Sequence, residues 1–337
     1  VENDSARITG TSPIHGDLFL GIDVGGTDVK LGLIDAAGVI HHRDRRPTPQ
    51  LQSPQRVFQY AMEFAHRTML SGAINGAELS AVGLAVPGVL DTREYVLREV
   101  VNLPGWLGVP LLEELASVSG ITSTVVNDAN SAAYAEHAIR NLGKQSLALV
   151  TLGTGIGCGV VLGGNPFGGD HGCAGELGHI VIDFSDDAID CTCGSRGHLE
   201  SYAGAGGVVT RAKAALSDSG RDGFDDLTPR DIAEMAESGD PVCLQIVTET
   251  AQYIGRAIGL MGQVVDPAVV LLGGAMTFGG TSTATGRRFI DQVRKTVKQT
   301  TLAEVGGNMK IKFAALGNDA GMIGAGMVAK FAAARRS

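Results

Sequence analysis

Two thiols stand one residue apart in CTCGSRGHLE (191–200), at Cys191 and Cys193. A histidine, His198, follows five positions after the second, and another, His179, lies upstream in GELGHIVID (175–183). Cysteine and histidine in that grouping are the donors of a tetrahedral metal site, zinc first among the metals they suit. The rival reading is a pair of reduced thiols beside two unrelated histidines.

Two glycine turns offer a second chemistry: DVGGT at 23–27 and GTGIG at 153–157. Each presents backbone N–H groups and a threonine hydroxyl with no side chains to hold a ligand away, a cradle for phosphate. Neither meets the G-x-G-x-x-G spacing, strands and not helices follow both, and no GK[ST] is present, so dinucleotide-fingerprint and P-loop readings fall. A single such turn is as readily an ordinary hairpin former; two matched copies favour a nucleotide site. Asp23, at a strand end just before the first glycines, is either a Mg²⁺ ligand or a turn cap. Asp128, between a strand's carboxyl end and a helix, sits where open sheets place ligands and where the helix dipole favours a carboxylate able to accept a hydroxyl proton. The competing use of Asp128 is helix N-capping, which the local sequence alone ranks first.

The elements that must position these groups follow from periodicity. LFLGIDVGGTDVKLGLID reads as strand, glycine turn, strand, and LALVTLGTGIGCGVVLGG at 147–164 repeats that layout, which suggests an internal duplication. PQRVFQYAMEFAHRTML has helical spacing in Val57, Tyr60, Ala61, Phe64 and Met69, and LSAVGLAVPGVL suits a strand entering a Pro-Gly loop. ITSTVVNDANSAAYAEHAIRNLG predicts a buried strand ending at Val126, a turn, then an Ala-rich helix stopped by Gly143. Helix is expected from about Thr228 to Met261, then the strand AVVLLGGAM, then strand, glycine loop and helix in IKFAALGNDAGMIGAGMVAKFAAARR. The polar segment 214–240 is expected as an exposed excursion, and residues 1–16 as a flexible tail.

Composition limits the partners. At 337 residues and 44% hydrophobic the chain can form two α/β domains. A formal net charge of -9, with no basic cluster beyond the terminal arginines, argues against nucleic acid. No uninterrupted apolar run spans a membrane and the opening residues lack a signal-peptide pattern, so a soluble cytoplasmic protein is expected. Five cysteines do not form a disulfide framework in a chain this size.

In the order DVGGT, NDAN, GTGIG, GELGH and CxCGxxGxLE, the chain resembles the ROK family of sugar kinases and related repressors from about Leu18 to its end. The resemblance implies a two-domain, actin-like and hexokinase-like (ribonuclease H-like) α/β fold with ATP and sugar in the cleft between the domains. The expected division is a small domain over 17–140, joined by the C-terminal helix of about 318–337, and a large one over 141–317 carrying the zinc loop 179–198.

What the resemblance implies for the site is a base at Asp128, with Asn127 orienting the sugar and Glu176, His179 and Glu200 among its contacts. Gly88 and Asn102 would line the pocket. For ATP with Mg²⁺ it implies Asp23, Gly25, Gly26 and Thr27 in the first turn, Thr154, Gly155 and Gly157 in the second, and Gly273 and Gly274 near the adenosine, with Lys30 supporting the first turn. The family pattern has cysteine where this chain has His198. Imidazole is an equally good zinc donor, so His179, Cys191, Cys193 and His198 can close an N₂S₂ site, or Cys173 or Asp190 can serve as fourth ligand. Four protein donors leave no position for activated water, so the zinc would be structural.

The activity implied is ATP-dependent phosphorylation of a hexose at its 6-hydroxyl, glucose first. N-acetylglucosamine, N-acetylmannosamine, mannose and fructose are the other acceptors, and polyphosphate is another donor. A homodimer is implied too. A sugar-responsive regulator is the alternative from another class. It is disfavoured because such repressors carry an N-terminal helix-turn-helix and only sixteen residues precede the first hairpin here.

Overall fold

The computed structural model describes residues 16–51, 53–71, 77–101 and 103–335. The expected tail therefore lies, through residue 15, outside the described residues. In chain order the elements are β1 (Gly16–Val24), β2 (Asp28–Ile34), β3 (Ile40–Pro47), α1 (Thr48–Leu51), α2 (Pro54–Leu70), β4 (Ala77–Val86), β5 (Val89–Asp91), β6 (Val96–Glu99), α3 (Leu111–Ser119), β7 (Thr122–Asn127) and α4 (Asp128–Ile139). They continue with β8 (Leu147–Leu152), β9 (Ile156–Leu162), β10 (Asn165–Pro166), α5 (Leu199–Ala203), α6 (Ala205–Asp218), α7 (Pro229–Glu237), α8 (Pro241–Val265), β11 (Val269–Gly273), α9 (Ala284–Thr300), α10 (Ala303–Asn308), β12 (Lys310–Phe313) and α11 (Ala320–Ala334). None of the described helices is long and apolar enough to cross a membrane.

The two large sheets repeat one strand order, β3-β2-β1-β4-β7 and β10-β9-β8-β11-β12. In the first, β1–β2 and β2–β3 are antiparallel while β1–β4 and β4–β7 are parallel. In the second, β10–β9 is antiparallel and β11 runs parallel to both β8 and β12. The repeat inferred from the two glycine hairpins therefore extends across both sheets.

The described residues divide into two compact units, one within 16–144, 159–174 and 315–335, the other of 145–158 and 175–314. Residues 159–174 thus join the first unit, not the expected large domain of 141–317. The cause is close contact: a Cβ on Gly159 would fall inside contact distance of the Ala129 carbonyl in α4, and the Val160 N–H donates to Asn130 Oδ1 at 2.8 Å.

The first unit is built on backbone-to-backbone approach. α11, rich in glycine and alanine, lies against β1, β4 and α4. A Cβ added at Gly21 would strike the Met322 carbonyl, one at Gly83 the Ala325 carbonyl, and one at Gly324 the Ser131 carbonyl. Ser131 Oγ donates to the Gly321 carbonyl at 2.7 Å. Glu136, fully buried on α4, accepts from the Ala315 and Leu316 N–H groups at 2.7 and 2.8 Å and pairs with Arg140, which fixes the chain as it enters α11. On the other face of the sheet α2, capped by Ser53 with Pro54 in its first turn, buries Val57, Phe58, Ala61 and Phe64.

Local expectations are corrected in several places. No turn separates β7 from α4, because Asn127 ends the strand and caps the helix directly. α4 stops at Ile139, before Gly143, since Asn141 takes the left-handed conformation (φ 51). The segment 214–240 is not an excursion: it holds the end of α6 and all of α7, burying Leu216, Leu227, Ile232 and Ala236. A Thr228–Asp231 capping box starts α7, and Asp240 then caps a separate α8. The amphipathic α9 buries Phe289, Ile290, Val293 and Val297 and is absent from the expected elements.

Gly83→Ala is expected to lower stability by about 1–3 kcal/mol, because its methyl meets a carbonyl that cannot rotate away. Denaturant unfolding checks this; an unchanged midpoint would refute backbone contact at that position.

Candidate functional site

At the β7–α4 junction, Asn127 Oδ1 accepts the Asn130 N–H at 3.1 Å, and Nδ2 donates to the Gly88 carbonyl at 3.1 Å. Asn127 is thus the cap of α4 and the anchor of the Pro-Gly loop. Gly88 has φ +90, and a Cβ there would strike the Glu99 carbonyl. Asp128 is the first residue of the helix, half-buried, with Oδ1 accepting the Ala129 N–H at 2.8 Å. The capping role that local sequence offered to Asp128 belongs to its neighbour. Asn102 lies outside the described residues; Leu103 and Trp106 line a cavity of about 210 Å³ that also borders Gly26 and Thr48.

The first glycine turn closes with the Gly25 N–H donating to the Asp28 carbonyl at 2.9 Å, leaving Gly26 and Thr27 exposed. Thr48 holds it from outside: its Oγ1 donates to the Gly25 carbonyl at 2.6 Å and its N–H to the Thr27 carbonyl at 2.9 Å. No sequence signal pointed to Thr48, which lies 23 residues from Gly25. Lys30 supports this region indirectly, pairing with Asp23 at 3.3 Å and donating to the Asn318 carbonyl at 2.9 Å, before α11. Burial pushes the Asp23 carboxyl above its ordinary range and the nearby Asp319 charge adds to that, while Lys30 opposes it. Asp23 offers the hard oxygen donor that Mg²⁺ takes alongside phosphates.

In the second unit, the GTGIG turn joins β8 to β9, with the Gly153 N–H donating to the Gly155 carbonyl at 3.0 Å and Thr154 exposed. Glu200, expected beside the sugar, accepts the Ile156 N–H of this turn through Oε2 at 2.8 Å. Gly274, at φ +90, lies so close to the Leu152 carbonyl that a Cβ would clash, and the Met276 N–H donates to the same carbonyl at 3.0 Å. The loop after Gly273 is thereby held on the end of β8. Glu176 precedes a 3₁₀ turn, Leu177–His179, and its Oε2 lies 4.0 Å from His179 Nε2.

The metal candidates converge. Donor atoms of His179, Cys191, Cys193 and His198 all lie within 4.8 Å of one another, with Cys191 Sγ 4.0 Å from His179 Nδ1 and Cys193 Sγ 3.2 Å from His198 Nδ1. Although burial opposes it, hydrogen bonds from Cys193, His198 and Ser201 bring the Cys191 thiol down to about 6. Cys158 behaves oppositely: burial, aided by the Glu176 charge, pushes it up to about 12. The loop closes through Cys191 N–H to the Ser195 carbonyl at 2.7 Å and Gly194 N–H to the Cys191 carbonyl at 2.9 Å. Two imidazoles and two thiols in this grouping fit tetrahedral zinc. Asp190, the alternative ligand, is instead paired with Arg196 at 2.7 Å, and Cys173 is outside the group.

The ROK family profile matches residues 19–332, and the chain belongs to that family. A glucokinase from Halalkalibacterium halodurans is 30% identical over 324 residues, covering 93% of this chain and 94% of the relative. An N-acetylmannosamine kinase from Escherichia coli O1:K1 is 30% identical over 259 residues, covering 76% and 82%. A ROK glucokinase from Streptomyces griseus, solved with glucose and AMPPNP, superposes with a TM-score of 0.69 at 28% identity, covering 93% of this chain and 99% of that one. The fold is the actin-like, hexokinase-like α/β class that the motif order implied.

Metal analysis of protein purified without chelator is expected to find about one zinc per chain, retained in His198→Cys and lost in Cys193→Ser. A metal-free wild type would sink the assignment.

Proposed function

We propose that the chain phosphorylates the 6-hydroxyl of a hexose with ATP, glucose being the first acceptor, and that Asp128 is the general base. The observation that carries this is the division of work at 127–128: Asn127 caps α4, so the Asp128 carboxylate at the positive end of that helix is not needed as the cap. In this reading Asp128 takes the proton as the hydroxyl oxygen attacks the γ-phosphorus, the bond to the bridging oxygen breaks, and ADP leaves. Phosphoryl transfer needs mainly positioning and charge neutralisation.

The DVGGT and GTGIG turns would hold phosphates and Gly273–Gly274 would border the adenosine. Asp23 would help hold Mg²⁺, which when bound neutralises phosphate charge. Gly88, Asn102, Asn127, Glu176, His179 and Glu200 are the proposed sugar contacts. The amide of Asn127 is already engaged by Asn130 and Gly88, so its part is chiefly to fix that corner. Zinc on His179 Nδ1 would leave Nε2 for a sugar hydroxyl, and the zinc loop would thereby orient the acceptor. The glucokinases among the relatives support glucose, and the N-acetylmannosamine kinase keeps 2-acetamido sugars as candidates.

A coupled ADP-release assay over glucose, N-acetylglucosamine, N-acetylmannosamine, mannose and fructose, with ATP or polyphosphate, is expected to give the highest kcat/KM for glucose with ATP. Asp128→Asn should lower kcat by roughly 10²-fold or more with little change in sugar KM. Near-wild-type turnover in that variant would reject the base assignment.

A further inference from the structure

We propose that Glu200 is a positioning residue for the second glycine turn, so that one carboxylate links acceptor binding to donor binding. This deepens the proposed function and rests on reading GTGIG as a phosphate turn. Oε2 accepts the Ile156 N–H at 2.8 Å, a charge-assisted bond to the backbone of the turn itself. Gly155 makes the approach possible, since a Cβ there would strike the same oxygen. Oε1 makes no hydrogen bond among the described residues and remains available to a sugar hydroxyl.

The turn is tied a second time just past the end of the short helix α5, by the first residue of α6. The Gly204 N–H donates to the Glu200 carbonyl at 2.8 Å, and the Ala205 N–H donates to the Gly153 carbonyl at 3.0 Å. Both sides of the turn are therefore held by residues 200–205. That segment begins two positions after His198, a member of the Cys/His group, with fully buried Leu199 between them. A glycine-flanked turn has little stiffness of its own. The Glu200 bond supplies it, and removes the Ile156 N–H from the groups a phosphate can use, leaving exposed Thr154 at the crest. Donors fixed in advance need no reorganisation when the phosphate arrives.

The test compares Glu200→Ala, Glu200→Gln and Glu176→Gln in the zinc-loaded protein, each confirmed folded by circular dichroism. Three quantities are read: amide exchange at Ile156, AMPPNP affinity without sugar, and glucose KM. Glu200→Ala is expected to speed Ile156 exchange and weaken AMPPNP about tenfold each, and to raise glucose KM. Glu200→Gln, whose amide oxygen can still accept the Ile156 N–H, should restore exchange protection and AMPPNP affinity while glucose KM stays raised; Glu176→Gln should change glucose KM alone. Wild-type exchange at Ile156 or wild-type AMPPNP affinity in Glu200→Ala overturns the proposal. A wild type that binds no AMPPNP defeats the kinase reading and the donor half of the proposal, while exchange at Ile156 still decides whether Glu200 holds the turn.

Discussion

The first unit depends on a helix backbone lying directly on a sheet backbone. α11 reaches β1 and β4 where Gly21 and Gly83 present no side chain, and reaches α4 through its own Gly324. Dispersion attraction falls steeply with distance, so contact this close is strong and also intolerant of any added atom. The consequence is positional: the axis of α4, and with it Asp128, is set by contacts that cannot relax. The same helix has Asp23 and Lys30 at its beginning and the Glu136 hydrogen bonds just before it. One element therefore fixes both the candidate base and the surroundings of the candidate magnesium ligand.

Several side chains in the site region hold backbone. Asn127 spends its amide on the α4 cap and the Gly88 loop, Thr48 braces the first glycine turn, and Glu200 braces the second. Glycine turns are suited to phosphate because they lack side chains, and for the same reason they cannot position themselves. Each is stiffened by a residue distant in sequence, which explains why the turn motifs alone do not identify their supports.

With zinc bound as proposed, the Cys/His group would serve this stiffening and not the chemistry. With both imidazoles and both thiols used as donors, a bound zinc would have no position for water, whereas His179 still presents its second nitrogen beside Glu176. Were zinc bound there, His198 would keep the donor number of four while supplying a neutral donor. The loop then leads directly into α5 and Glu200.

Much of this protein was legible from sequence because hairpins, amphipathic helices and glycine turns are local. The strand–turn–strand units at both glycine motifs, α2 and the β12–α11 closure follow from periodicity over short windows, and the motif order identified the family. α7 falls inside the helix expected from about Thr228, but its break from α8 at Asp240 was not read, and α9 was hidden by the charges between its buried Phe289, Val293 and Val297. Tertiary structure alone decided who pairs with whom: that Asn127 and not Asp128 caps α4, that Lys30 reaches Asn318 288 residues away, that Glu200 holds Ile156, and that 159–174 packs with the first unit. Residue types and spacing fix what a side chain can do. Which of its possible bonds is made depends on which distant backbone the fold brings within about 3 Å, and local spacing carries no such distance.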